Sequence, residues 1–141
     1  MVGNVGFVSR SELFNEIRNR LATTEKTLLV SVDGPAGAGK TTLAKDLLDE
    51  FTNADVIHMD DLYRGWLLTL GPTLTRELQS IIEQLNDDGI ITYSKFDWHK
   101  NEIGEEITID APKILVLEGV GSGQLSISDR VDIKVWIDIY F

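Results

Sequence analysis

The sequence predicts an α/β fold, a three-layer α/β/α domain on a mainly parallel sheet, and three observations carry that expectation. Short apolar runs alternate with segments of helical periodicity along the 141 residues. One apolar run, "TLLVSVDG", passes through a burst of glycines directly into a helical pattern. No internal repeat, low-complexity tract or linker breaks the alternation. One domain over residues 1–141 is therefore expected, with an N-terminal helix over 9–22 and a core over 27–141.

Each element has its own warrant. In "SRSELFNEIRNRLA", Ser9 and Glu12 stand at capping-box spacing, and Leu13, Phe14, Ile17 and Leu21 share one helical face. "TLLVSVDG" is short and apolar and ends at glycine, as a buried parallel strand does. After the glycines, Leu43, Leu47, Leu48 and Phe51 recur at helical spacing. "ADVIHMDD" reads as a second strand closing on two carboxylates. "TLTRELQSIIEQLNDDG" places Leu74, Leu78, Ile81, Ile82 and Leu85 on one face, with Gly89 as the stop. "IITYSKFDW" and "EEITID" form two strands around the polar link "HKNEIG", a hairpin pattern, while "KILVLEG" and "VDIKVWIDIY" are further strands. The looser stretches are "GVGSGQLSISD" and the tip near Gly65.

Composition narrows the function classes. Acidic residues outnumber basic ones by 23 to 13, and the resulting charge of -10 repels phosphodiester backbones and anionic membrane surfaces. Neither nucleic acid nor membrane is expected as a partner. The chain holds no cysteine, which excludes disulfides, thiolate nucleophiles and cysteine-based zinc sites within it and fits a cytoplasmic setting. The start "MVGNVGFVSRSELF" lacks the basic-then-apolar plan of an export signal, and no run reaches the length of a membrane span.

The glycine-rich junction carries the chemistry. Gly34-Pro-Ala-Gly-Ala-Gly39-Lys40-Thr41 satisfies G-x-x-x-x-G-K-[ST] and sits where that motif must, after a strand and at the first turn of a helix. Gly34, Gly37 and Gly39 permit backbone angles closed to other residues, so the amides of this stretch, including those of Ala36, Ala38 and Thr42, can turn toward an anion. The helix beginning near Lys40 adds its unpaired N–H groups and its positive dipole end. Lys40 reaches the terminal phosphates of a bound ATP as a point charge, and the Thr41 hydroxyl can hold the Mg2+ that neutralises them. A phosphate cradle of the P-loop NTPase type is the expectation.

A cradle does not name a reaction, so the acidic strand ends must help decide. Ligands of open parallel sheets gather outside the carboxyl ends of the strands, where "HMDD" and "VLEG" deliver carboxylates. Asp60 and Asp61 can accept a proton from an acceptor hydroxyl, or can be a solvated turn or cap. Glu118 closes a buried apolar run, where a carboxylate needs a cation or donor partner. It is expected behind the magnesium.

Taken in order, "DGPAGAGKTTLAKDLL", "HMDDLYRGW", "KFDW" and "LVLEGVGSG" resemble the uridine kinase and phosphoribulokinase group of P-loop kinases over roughly residues 28–138. The resemblance implies ATP-dependent phosphoryl transfer to a small hydroxylated acceptor such as a nucleoside, with Asp60 as the base. Lys40 is carried over as a catalytic residue on the nucleotide. Tyr63, Arg64 and Asp97 are implied in acceptor binding, and Thr41 with Glu118 at the metal. Phe96 stands where the group has a tyrosine, which removes a hydroxyl donor and turns the expectation away from uridine itself. His99 is read as an exposed loop residue, and Trp66 and Trp98 as either stacking platforms or packing groups. "DGPAGAGKTT" also resembles cytidylate kinases, although nothing after it is similar to their monophosphate-binding segment.

The group continues past the strand "VDIKVWIDIYF" into a lid with arginines, whereas here no arginine follows Arg130. A positioned arginine is worth about 10³ or more in phosphoryl transfer, so a C-terminally truncated fragment that binds nucleotide without efficient turnover stands as the alternative reading. An uncovered last strand leaves a homodimer open.

Overall fold

In the computed structural model, described over residues 9–65 and 71–138, four parallel strands form one sheet in the order β2-β5-β1-β6. The strands are β1 (Leu28–Asp33), β2 (Ala54–His58), β5 (Ile114–Glu118) and β6 (Ile133–Trp136), and β3 (Ile90–Asp97) and β4 (Glu102–Asp110) make a separate antiparallel hairpin. Three helices, α1 (Arg10–Leu21), α2 (Lys40–Glu50) and α3 (Pro72–Asp87), cover the parallel sheet. The α/β reading with a mainly parallel sheet therefore holds.

Alternate residues of the same strands feed two cores, which explains why β1 and β5 are buried along their whole lengths. Leu28, Val30, Val32, Ile114 and Val116 pack against Leu13 and Ile17 of α1 and Leu43 and Leu47 of α2. On the other face, Leu29, Leu115 and Leu117 meet Leu74, Leu78, Ile81 and Ile82 of α3 together with Ile91 and Tyr93 of β3. Each such side chain contributes about 1.5–3 kcal/mol relative to leaving it in water.

The helix boundaries follow local chemistry. The Ser9 hydroxyl accepts from the Glu12 amide at 3.2 Å, so α1 begins at the expected cap. After α3, Gly89 at φ +78° ends the helix and turns the chain into β3. Two differences from the sequence reading concern strand ends. β4 begins at Glu102, not Glu105, because the pairing Asp97↔Glu102 extends the hairpin through half of the polar link. β6 is confined to Ile133–Trp136, the stretch that pairs with Val30–Asp33 of β1. No helix among the described residues is long and apolar enough to cross a membrane.

Candidate functional site

Because the four strands run in one direction, β1, β2 and β5 all end at the same rim. β5 lies between β1 and β2, so Glu118 stands between the phosphate loop and the turn that carries Asp60. At this rim Ala36, Lys40, Thr41, Asp60, Tyr63, Glu118, Gly119 and Val120 line a cleft of about 370 Å³.

The loop between β1 and α2 is shaped from within. A side chain at Gly34 would place its Cβ 2.3 Å from the Ile137 carbonyl, and φ there is +147°, so only glycine passes beneath the end of β6. Gly37 and Gly39 also have positive φ, and Gly39 caps α2. Two of the amides expected at the ligand are already used: Gly34 donates to Asp33 Oδ1 at 2.7 Å and Ala38 to the Pro35 carbonyl at 3.2 Å. Those of Ala36, Gly37, Gly39, Lys40, Thr41 and Thr42 have no hydrogen-bond partner among the described residues. Lys40 is buried, and its Nζ donates to the Pro35 carbonyl at 2.8 Å. The loop thus holds its own cation in place, bonded to a neutral acceptor that an anion would displace.

Beside it lies a chain of three side chains. Thr41 Oγ1 donates to Glu118 Oε1 at 3.2 Å, and His58 Nδ1 meets the same oxygen at 2.6 Å. Burial pushes the Glu118 carboxyl up, but the His58 hydrogen bond and charge, the Thr41 hydroxyl and the Lys40 ammonium outweigh it, and the net shift is downward. His58 moves the other way: its bond to Glu118 raises it against the opposing effect of burial. The donors suit a hard cation: one hydroxyl and one carboxylate, both oxygen, beside a phosphate cradle. Magnesium characteristically takes one or two protein oxygens and completes its shell with phosphates and water, and no group of three acidic, histidine or cysteine side chains able to cage a metal occurs among the described residues.

Across the cleft, Met59–Asp61 form a single 3-10 turn after β2. Asp60 is exposed on it and lines the cleft, while Asp61 is partly buried and its carboxyl is raised by that burial, with Lys95 opposing. The Tyr63 hydroxyl donates to the Val120 carbonyl at 2.6 Å, and burial, with Asp60, Asp33 and Glu118 adding to it, pushes the phenol up to about 12. Tyr63 therefore ties the Asp60 turn to the loop after β5.

The structure brings Lys40, Thr41, Glu118, Asp60 and Tyr63 together and leaves two expected acceptor residues outside the cleft lining. Arg64 donates to the Ser94 carbonyl at 3.1 Å and pairs with Glu77 at 3.6 Å, joining the turn to β3 and α3. Asp97 Oδ1 accepts from the His99 and Lys100 amides at 3.0 Å, opening the hairpin turn, and those bonds hold its carboxyl below the usual range. His99 is exposed, as expected. Trp98 donates from Nε1 to the Asp60 carbonyl at 2.9 Å and packs edge-on against Phe96 at 4.9 Å between centroids, so it works as a brace. Trp66 lies outside the described residues.

Two residues escaped the sequence reading. Asp33 accepts from Gly34, Gly121 and Gly123 at 2.7, 3.3 and 3.0 Å, locking the phosphate loop to the loop after β5. It ends a buried strand just as Glu118 does, and the same logic applied to β1 would have found it. His58 became visible only through the register that pairs it with Glu118.

Comparison with known proteins agrees with this fold. A 42-residue segment is 45% identical to nicotinamide riboside kinase of Saccharomyces cerevisiae; it covers 30% of this chain and spans only 18% of that enzyme's length. A candidate uridine kinase from Bacillus stearothermophilus superposes with a TM-score of 0.67 at 22% identity, over 92% of this chain and 83% of that one. A candidate fructose transport system kinase from Silicibacter sp. gives 0.72 at 18% identity, over 95% and 76%. These likenesses establish a shared fold, that of the P-loop kinases. The NB-ARC domain, itself a P-loop NTPase domain, matches residues 10–120, which contain the phosphate loop, the Asp60 turn and Glu118. The chain belongs to the NB-ARC domain family and has the fold of a uridine-kinase-like P-loop kinase.

Proposed function

We propose that the chain binds Mg-ATP at the phosphate loop and transfers the terminal phosphoryl group to a hydroxyl of a small acceptor. One observation carries this reading: Ala36, Lys40, Thr41, Asp60 and Glu118 line a single cleft at the carboxyl rim of the sheet. The unpartnered amides and the start of α2 offer the polyphosphate a set of donors fixed before it arrives. Lys40 exchanges the Pro35 carbonyl for a phosphate oxygen, trading a neutral acceptor for a charged one. Thr41 and Glu118 would hold magnesium, which when bound offsets the charge of the phosphates. Asp60, exposed on the opposite wall, accepts the hydroxyl proton of the acceptor as that oxygen attacks phosphorus.

Two relatives bear names of kinases that act on nucleosides, which supports a nucleoside as the first acceptor class to try. Tyr63 belongs to this acceptor side by its place in the cleft, whereas Arg64 and Asp97 would contribute through the turn and hairpin they brace.

The test is ADP release from Mg-ATP with a panel of nucleosides, nucleoside monophosphates and sugar phosphates. One acceptor should stimulate release. Asp60→Asn should lower that stimulation by about 10²–10⁴ while leaving ATP affinity within about threefold. One competing reading is a nucleotide-binding module without transfer. ATP binding with no stimulation by any acceptor would establish it in place of the kinase.

A further inference from the structure

His58 has no part in the chemistry so far, yet it makes a short contact with a residue of the cleft lining, Glu118. It ends β2 directly opposite Glu118 of β5, and Cα partners on adjacent strands project side by side. Its Nδ1 lies 2.6 Å from Glu118 Oε1, the oxygen that also receives the Thr41 hydroxyl. The two side chains differ in access to water: that of Glu118 is 9% exposed, that of His58 39%. The imidazole is the solvent-side cover of a carboxylate that otherwise depends on Thr41.

We propose that His58 is a positioning residue, which orients the Glu118 carboxylate for the magnesium that accompanies ATP without touching metal or substrate itself. The terminal torsion of a glutamate is broad, so one hydrogen bond leaves the carboxylate plane free to swing. Two donors on the same oxygen hold that plane and leave Oε2 uncommitted among the described residues. Thr41 spends only its hydrogen on Glu118 and keeps its lone pairs for a cation. Magnesium tolerates little departure from octahedral geometry, so a swinging ligand costs affinity where a held one does not. Partners that orient ligands in this way are typically worth 10–100-fold in metal affinity.

The proposal rests on the cradle reading, so its test separates the two. A fluorescent ATP analogue is titrated in EDTA and at increasing Mg2+ against wild type, His58→Phe and His58→Asn. Phenylalanine keeps a ring without a donor, and the asparagine amide nitrogen falls close to the place of Nδ1. In His58→Phe the gain in affinity that Mg2+ confers should fall about tenfold, with affinity in EDTA unchanged. In His58→Asn the gain should return to within about threefold of wild type. Should phenylalanine prevent folding, His58→Ala carries the same expectation, since the position is half-exposed. An unchanged Mg2+ gain in the donor-free variant overturns the proposal, and so does an equal loss with and without Mg2+, which marks a general structural role. Wild type that binds no nucleotide at all overturns the cradle instead.

Discussion

The parallel sheet and the β3–β4 hairpin both support the Asp60 turn but are built by opposite rules. β1 and β5 are buried on both faces and deliver Asp33 and Glu118 from the ends of rigid, wholly covered strands. β4 is exposed along most of its length, Ile103 stands 60% exposed, and β3 buries only alternate residues against α3. The hairpin braces the Asp60 turn with the indole of Trp98 on the Asp60 carbonyl and with the Ser94 carbonyl, which accepts from Arg64. On the proposed reading, the nucleotide side of the cleft is thus a product of the core, while the acceptor side leans on a one-sided flap. A phosphate cradle must hold its amides to within fractions of an ångström, and an acceptor pocket has more freedom to vary.

Sheet and hairpin should differ most in what a truncated side chain costs in stability. Leu115 and Ile109 border the same core, but Leu115 is fully buried in β5 and Ile109 is partly covered on β4. Leu115→Ala should cost about 2–5 kcal/mol, the range for a closed cavity in a site that cannot collapse. Ile109→Ala should cost about 1 kcal/mol, because the side chain is only partly covered and solvent reaches the space it leaves. Urea unfolding measures both, and equal losses would show that the hairpin is as much a part of the core as the sheet.

A smaller effect sharpens the functional half of the contrast. Trp98→Phe keeps most of the packing on Phe96 and removes the N–H that reaches Asp60. One lost hydrogen bond of about 1 kcal/mol corresponds to roughly a fivefold change, expected in the KM of the acceptor and not in that of ATP. A change in both would place the brace on the nucleotide side.

The same contrast governs what was legible in the sequence. The sheet strands and the cradle announce themselves because continuous burial and glycine-dependent geometry leave marks in composition: "LLVSVD", "ILVLE", and glycines at 34, 37 and 39. That Lys40, Thr41, Glu118 and Asp60 gather at one rim could be read because strand ends in a parallel sheet point the same way. His58 depends on lateral register, which periodicity does not encode, since every pairing of two uniformly apolar strands looks alike. Arg64 and Asp97 resemble a binding motif in sequence, while in the fold their hydrogen bonds go to Ser94 and to the hairpin turn. Local backbone acceptors competed for those side chains, and nothing in the spacing reveals it.

Two tyrosines offer the finest distinction. Tyr63, behind the Asp60 turn, and Tyr93, in β3, are both pushed up to about 12, in each case chiefly by burial. Both raised values mean that the folded protein holds these protons more tightly than the unfolded chain does. Their contribution is therefore complete below the ordinary phenol value of about 10 and is lost as pH rises from there toward 12. Tyrosinate absorbance, taken as wild type minus Tyr63→Phe and wild type minus Tyr93→Phe, isolates each ring from Tyr140. If the flap opens locally while the sheet stays closed, Tyr93 should ionise before the global unfolding transition and Tyr63 only with it. Coincident titrations would mean that hairpin and sheet open as one unit, and the division of the cleft into a rigid side and an adaptable side would have to be given up.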